Sequence, residues 1–578
     1  MIAWLPEGAV WIIPLSLTFL LAGWISSVVI AVKSKWLALF AVFPLTNPIA
    51  VIGLLYKNTT TAILPVACYT LALMVWFLGS SRSYKIESER LVSYEAFLTE
   101  QGEPTSAADY VINPGNPKEN AWEHPFLKPL ASAGQPDKSG ELAREQMDQK
   151  YEKLRLPKSQ IKVKYEESST DRLPLSMPSR KLHTQAIDLL IAENPETPKV
   201  ELPKTSIKAA QVLERLFKDI APDLNQLKEA VSRKNDIYPF AWEEGFQLLL
   251  PHLSKLRTFS QIAQMHSIAQ SALTNQEASF ESATLAFKLA EIGDTDILIS
   301  RLVQMAQLTI ALDTLVAAQN YHVWNGAQWA EMQNMLNSFD LIQLMPNSLR
   351  AERALGKSSL EPMLSQSWSD AMQTISNLDG SGATQMEGFM KSALDLFGSN
   401  FSRALLAKHW RLCQEAYSFM IADLEQAAEA SKSQPWKDIQ VSWADKNLKQ
   451  YGLFASMLLP ALDKAQSKAV LHQAKLELAK TAIDLERYFL KHQQYPETLD
   501  SLVPEFTNST PQDPLTGTSY LYKRLTQDSF EIYSAGLNGK DEGGRNVKKH
   551  RKGEVPPPDD LLWVISKESE NIPSYTMN

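Results

Sequence analysis

Three uncharged, strongly apolar runs stand in succession in the first 81 residues: Gly8 to Val32 (25 residues), Trp36 to Tyr56 (21) and Asn58 to Ser81 (24). A helix rises about 1.5 Å per residue, so about 20 apolar residues cross the hydrocarbon core of a bilayer. The first and third runs are long enough to do so. The middle one holds Pro44, Asn47 and Pro48, which let it either span with a kink or re-enter. Trp4, Trp11, Trp24, Trp36, Tyr56 and Trp76 include interfacial anchors. The first run has no basic residues before it and further apolar runs after it, unlike a cleaved signal peptide. Residues 1–82 are therefore expected to form two or three transmembrane helices in the lipid bilayer. If all three runs span, Lys33, Lys35, Lys57, Arg82, Lys85 and Arg90 place the large domain in the cytoplasm. A re-entrant middle run removes that inference.

Residues 83–205 read differently. Ile86 to Gln101 has the spacing of a short amphipathic helix, with Leu91, Tyr94, Phe97 and Leu98 on one side. Nine prolines follow between Pro104 and Pro178. Each removes a backbone donor and turns the preceding residue away from helix, which predicts a mostly extended linker. Gly140–Arg155 and Leu182–Glu193 are its expected helices, and Trp122-Glu-His-Pro-Phe126 is read as an aromatic staple against the folded body.

From 206 to 464 apolar residues recur at helical spacing almost throughout. Leu250–Leu273, Gln276–Ile292 and Thr295–Gln319 are separated by joints so short that neighbours must run antiparallel. Alanines 263, 269 and 272 face 283, 286 and 290, so the helices can approach closely. Further helices are expected at Ser206–Asp219, Asp223–Ser232, Ala327–Phe339, Asn347–Gly356, Asn400–Ser431 and Trp443–Leu459. The stacking resembles that of tetratricopeptide repeats, but without a clean repeat period it is read as a repeat-like α-helical array and not as a named repeat. Such arrays present surfaces to protein partners.

Chemistry is sparse. A net charge of -8 and a pI near 5.7 provide no basic footprint for nucleic acid. No HExxH, GxSxG or CxxC occurs, and Asn377 to Ala383 lacks the lysine of a phosphate loop. His409 and Cys413 share a helix face at zinc-ligand spacing, but no second pair joins them, so they read as packing.

The last hundred residues carry the most local signal. Lys468–His492 forms a broad apolar helical stripe ended by Pro496. Tyr520–Leu525 and Phe530–Ser534 form a hairpin, and Leu561–Ser566 adds a third strand. One helix across a small antiparallel sheet is an α+β module spanning 465–566, with a tail at 567–578. The succession Tyr495-Pro496, Asp513-Pro514, Gly517, Tyr520, Tyr522, Tyr533-Ser534, Gly536, Asn538-Gly539, Gly543-Gly544 and Asp559-Asp560 resembles the C-terminal half of the major pseudopilins of bacterial type II secretion. That resemblance covers about a sixth of the chain and implies a bacterial inner-membrane protein with its large domain on the exported side. It also implies calcium in the loop after the hairpin. The expected ligands are Asn538, Asp541, Asp559 and Asp560, with Ser534, Glu542 and the Leu537 carbonyl as secondary donors. A glycine-rich loop can converge oxygens on a hard cation. Two departures stand against it. Asn538 replaces the family's usual aspartate, and the basic strip Arg545 to Lys552 interrupts the site. The family's basic leader and early glutamate are also missing, so the module is expected to be reused in a different membrane protein.

Taken together, the chain is expected to be mainly α-helical, a membrane-anchored, non-enzymatic interaction or assembly protein ending in a pseudopilin-like module. A component of a type II secretion or pilus-like system is the second reading. An enzyme with a site assembled inside the array is the third.

Overall fold

The computed structural model describes residues 15–22, 59–112, 116–157, 164–165, 174–193, 203–292, 296–366, 389–439, 451–545, 560–566 and 575–576. The runs Gly8–Val32 and Trp36–Tyr56 lie largely or wholly outside them, as do the loop 377–383 and the first half of Trp443–Leu459. The third run falls within helix α1, Thr59–Glu100, which also takes in the expected amphipathic segment after it. Among the described residues one helix, Leu298–Asn320, is long and apolar enough to cross a membrane, and 72% of its apolar window is buried inside the protein. It is a core helix. The expectation of several N-terminal spans thus rests on sequence alone.

The molecule is mainly helical. After α1 come α2 (Lys128–Ala133), α3 (Lys138–Lys150), α4 (Pro178–Glu193), α5 (Ser206–Val231), α6 (Pro251–Ala272), α7 (Gln276–Glu291), α8 (Leu298–Asn320), α9 (Gly326–Asn337), α10 (Met345–Leu360), α11 (Phe389–Ala430) and α12 (Gly452–His492). Thr205 starts α5, its hydroxyl accepting from Lys208 N at 3.3 Å. Pro222 lies inside this helix, so the two helices expected at 206–232 are one. Asn325 caps α9, and Gln328 returns a bond to the Asn325 amide. Asn275 starts α7 without capping it: Thr274 adopts a left-handed φ of 56°, and the Asn275 side chain donates to Gln270 instead.

Helices α6, α7 and α8 pack on one another. The six facing alanines are all buried, which lets α6 and α7 approach closely enough for the Ser267 hydroxyl to reach the Ser279 carbonyl at 2.9 Å. A close approach of another kind joins α10 to α11. A Cβ at Gly356 would lie 2.7 Å from the Trp410 ring, so only glycine fits there without movement.

The proline-rich stretch does not behave as an extended linker where it is described. Trp122, Phe126, Leu130, Tyr151, Leu154 and Leu182 are buried in the same core as the array. Pro129 sits in the first turn of its helix, where a missing donor costs nothing. The staple expected at Trp122–Phe126 forms: Trp122 Nε1 donates to the Asp236 carbonyl at 3.0 Å, and its ring meets Tyr238 edge-on at 4.7 Å.

At the C-terminal end, β2 (Leu521–Thr526), β3 (Ser529–Ser534) and β4 (Leu561–Ile565) form an antiparallel sheet in the order β2-β3-β4. A separate two-residue ladder pairs β1 (Lys164–Tyr165) with β5 (Tyr575–Thr576). The sheet is not set apart from the array, because α12 runs unbroken across residue 465 and packs on α8, α9 and α11 as well as on β3 and β4. Gln319 of α8 joins these parts. It donates to the Ala482 carbonyl of α12 at 2.7 Å and accepts from Trp563 Nε1 of β4 at 2.9 Å.

Candidate functional site

The loop after β3 turns through left-handed Gly536, Gly539, Gly543 and Gly544, which brings its acidic end back beside the start of β4. Seven residues were expected to converge here. Asn538, Glu542 and Asp560 come together. Asn538 Nδ2 donates to Glu542 Oε1 at 3.0 Å, and the Gly544 amide donates to Asp560 Oδ2 at 2.8 Å. Asp560 is fully buried, and burial pushes its carboxyl up to about 7. The Gly544 amide opposes that rise, while the Glu542 carboxyl beside it adds to it. Two neighbouring carboxyls of this kind retain a proton between them or accept a cation.

The other expected donors are directed elsewhere. Asp541 is exposed and accepts from the Tyr533 hydroxyl at 3.0 Å and from Gly543 N at 2.8 Å. The Asn538 side-chain oxygen is occupied by Lys540 N at 2.7 Å. Leu537 packs its side chain against the core. Asp559 lies outside the described residues. Among the described residues no group of three or more His, Cys, Asp or Glu is placed to hold a metal. Calcium takes six to eight oxygens, so the described side chains fit it through Glu542 and Asp560 and leave the remainder to backbone carbonyls and water.

Ser534 belongs to another cluster. Its hydroxyl donates to Asp513 Oδ2 at 2.8 Å; Thr516 Oγ1 donates to the same oxygen at 2.8 Å, and Leu515 N to Oδ1 at 2.9 Å. Asp513 is buried and locks the Asp-Pro turn onto the end of β3. No family model, curated protein or solved structure matches the chain.

Sequence reasoning missed an extended polar assembly, the seam along α1. Glu103, just beyond its end, accepts from Arg350 at 2.8 Å and from Arg353 at 2.7 Å. Burial alone would raise the Glu103 carboxyl, but the two guanidiniums outweigh it and hold the group below its usual range. Glu95 accepts from Lys357 at 2.6 Å and from Gln414 at 2.9 Å. The Tyr94 hydroxyl donates to Ser418 at 2.9 Å. Nearer the start of α1, Asn400 donates to Ser81 at 2.8 Å and Trp76 meets Phe401 at 5.1 Å. Only the acid–base alternation of α1 hinted at this; the partners lie hundreds of residues away.

His409 and Cys413 are both buried on α11, and burial pushes the Cys413 thiol up to about 12. That environment suits a packing residue better than a thiolate metal ligand.

Proposed function

We propose that this chain is a membrane-anchored, non-enzymatic interaction or assembly protein of the bacterial inner membrane, whose terminal α+β module is pseudopilin-like. The observation that carries the reading is the two-part character of α1. Leu71, Leu73, Met74, Phe77 and Leu78 are exposed on its first half, as the side of a helix facing lipid would be. Its second half is fixed to α10 and α11 by the Glu95 and Glu103 seam. One continuous helix would thus pass from bilayer to array. Two buried carboxylates are absorbed in structural bonds: Asp313 accepts from Lys181 and Gln264, and Glu486 accepts from Tyr495 at 2.6 Å. Such use suits a scaffold. In the terminal loop, Glu542 and Asp560 would be the side chains that hold calcium.

Two measurements test this. In opened membranes carrying the full chain with Cys68→Ala, a hydrophilic maleimide should label Ser93→Cys readily and Phe77→Cys only after detergent is added; equal labelling of the two removes the lipid-facing assignment. Hydrogen exchange of the array should also be slower in native membranes than after purification, where a partner has been lost. Identical exchange in the two states would leave the interaction role unsupported.

A further inference from the structure

A cavity of about 390 Å³ opens where the segment before α6 meets the start of α8. Its walls include Tyr110, Phe240 and Trp242. Their rings are mutually packed, with Tyr110 and Phe240 lying 4.9 and 5.3 Å from Trp242. The charged groups of the lining are Asp236, Asp296 and Arg301. Arg301 is 1% exposed and donates to Gln304 Oε1 at 2.7 Å, so its guanidinium is engaged by the protein. Among the described residues of the lining, two carboxyls accompany one guanidinium, and only Asp296 lies beside the packed rings and Arg301. Burial raises the Asp296 carboxyl, Arg301 offsets part of that rise, and a bound cation would offset more of it. The volume falls within the range of small-molecule sites, about 300–1,000 Å³.

Aromatic faces present negative charge from their quadrupole and attract cations, most strongly where water is excluded. A space with three aromatic walls and a carboxyl beside them therefore favours an organic cation over a neutral or anionic ligand. We propose that this cavity binds a small organic ammonium ion, held by the Tyr110, Phe240 and Trp242 rings and by Asp296. The site is independent of the membrane and calcium readings.

The test uses the full chain in a maltoside detergent, which carries no ammonium group to compete, with binding followed by calorimetry. Choline should bind saturably, and its uncharged isostere 3,3-dimethylbutan-1-ol at least about tenfold more weakly, the difference a desolvated cation–aromatic contact supplies. Asp296→Asn should weaken choline by about tenfold or more. Tyr110→Leu, which keeps an apolar wall, should weaken choline while leaving the isostere unchanged, and it serves if Asp296→Asn does not fold. Phosphocholine in parallel separates the sources: tighter binding than choline identifies a lipid headgroup, weaker binding a free ammonium ion. The proposal is overturned if choline fails to saturate by about 50 mM, if the isostere binds equally well, or if benzoate binds in its place.

Discussion

Gln319 offers the sharpest test of how the sheet is held to the array. Its side chain is fully buried and bonded at both ends, to the Ala482 carbonyl on α12 and to the Trp563 indole on β4. Gln319→Leu keeps nearly the same volume and removes both bonds. Ala482 keeps its place in the helical ladder and loses little. The Trp563 N–H, on a residue only 1% exposed, is left without this acceptor, and a stranded buried donor costs about 1–3 kcal/mol. A net loss of about 2 kcal/mol corresponds to roughly a 30-fold change in an opening equilibrium. The assay is native-state hydrogen exchange of the full chain, read on β3 and β4 against the centre of α6 as an internal reference. Exchange in the two strands should accelerate about 30-fold if they undock as a unit, while α6 stays protected. Adding Trp563→Phe removes the stranded donor, so its effect should be about 1 kcal/mol milder in the Gln319→Leu background than in the wild type. Unchanged exchange in β4, or equal costs of Trp563→Phe in both backgrounds, would refute the reasoning.

Gly356→Ala should destabilise the α10–α11 contact by about 1–3 kcal/mol, because the new methyl meets the Trp410 ring and cores tolerate overpacking poorly; a shift in thermal midpoint measures it, and no shift would mean the ring moves freely. Cys413 should resist alkylation in the folded chain and react once denatured, since both burial and a thiol near 12 disfavour the thiolate; mass spectrometry of labelled protein reports the outcome. Asp560 gives a pH dependence. With a folded pKa near 7, above the ordinary carboxylate value, the folded state holds a proton that the unfolded state has released between about pH 4 and 7. Its contribution therefore favours folding at the acid end and declines as pH rises to 7, then levels off. Exchange in the terminal loop should follow that trend, Asp560→Asn should flatten it, and calcium should protect the loop at pH 8 but not in the Asp560→Asn variant.

Much of the secondary structure was legible because it depends on local periodicity. The expected helix at Gln276–Ile292 differs from α7 by one residue at its end, and all three strands of the sheet lie near their expected positions. What escaped depends on distance in the chain. Prolines in 104–178 mark breaks in helix, but nothing in their spacing reports that Trp122 docks on Asp236 and Tyr238. The boundary at 465 looked natural because the pseudopilin resemblance begins there, yet α12 has no break at that point. At the terminal loop the acidic residues were visible and their orientation was not. Asp541 and Asn538 are consumed by the turns that glycine permits, and Asp513, noted only as part of the pseudopilin-like succession, proves to be the buried anchor for Ser534.

The pairing of α1 with α11 has a mechanical consequence. Contacts advance in the same direction along both helices, from Trp76 with Phe401 to Tyr94 with Ser418, so the two form a parallel pair. A solitary helix leaving a bilayer can spin about its own axis and let its cargo face any way. A doubled mast pinned along its length cannot do so without carrying the whole array around with it. On the membrane reading α1 therefore cannot turn independently of the array, and any rotation in the bilayer moves the two as one body.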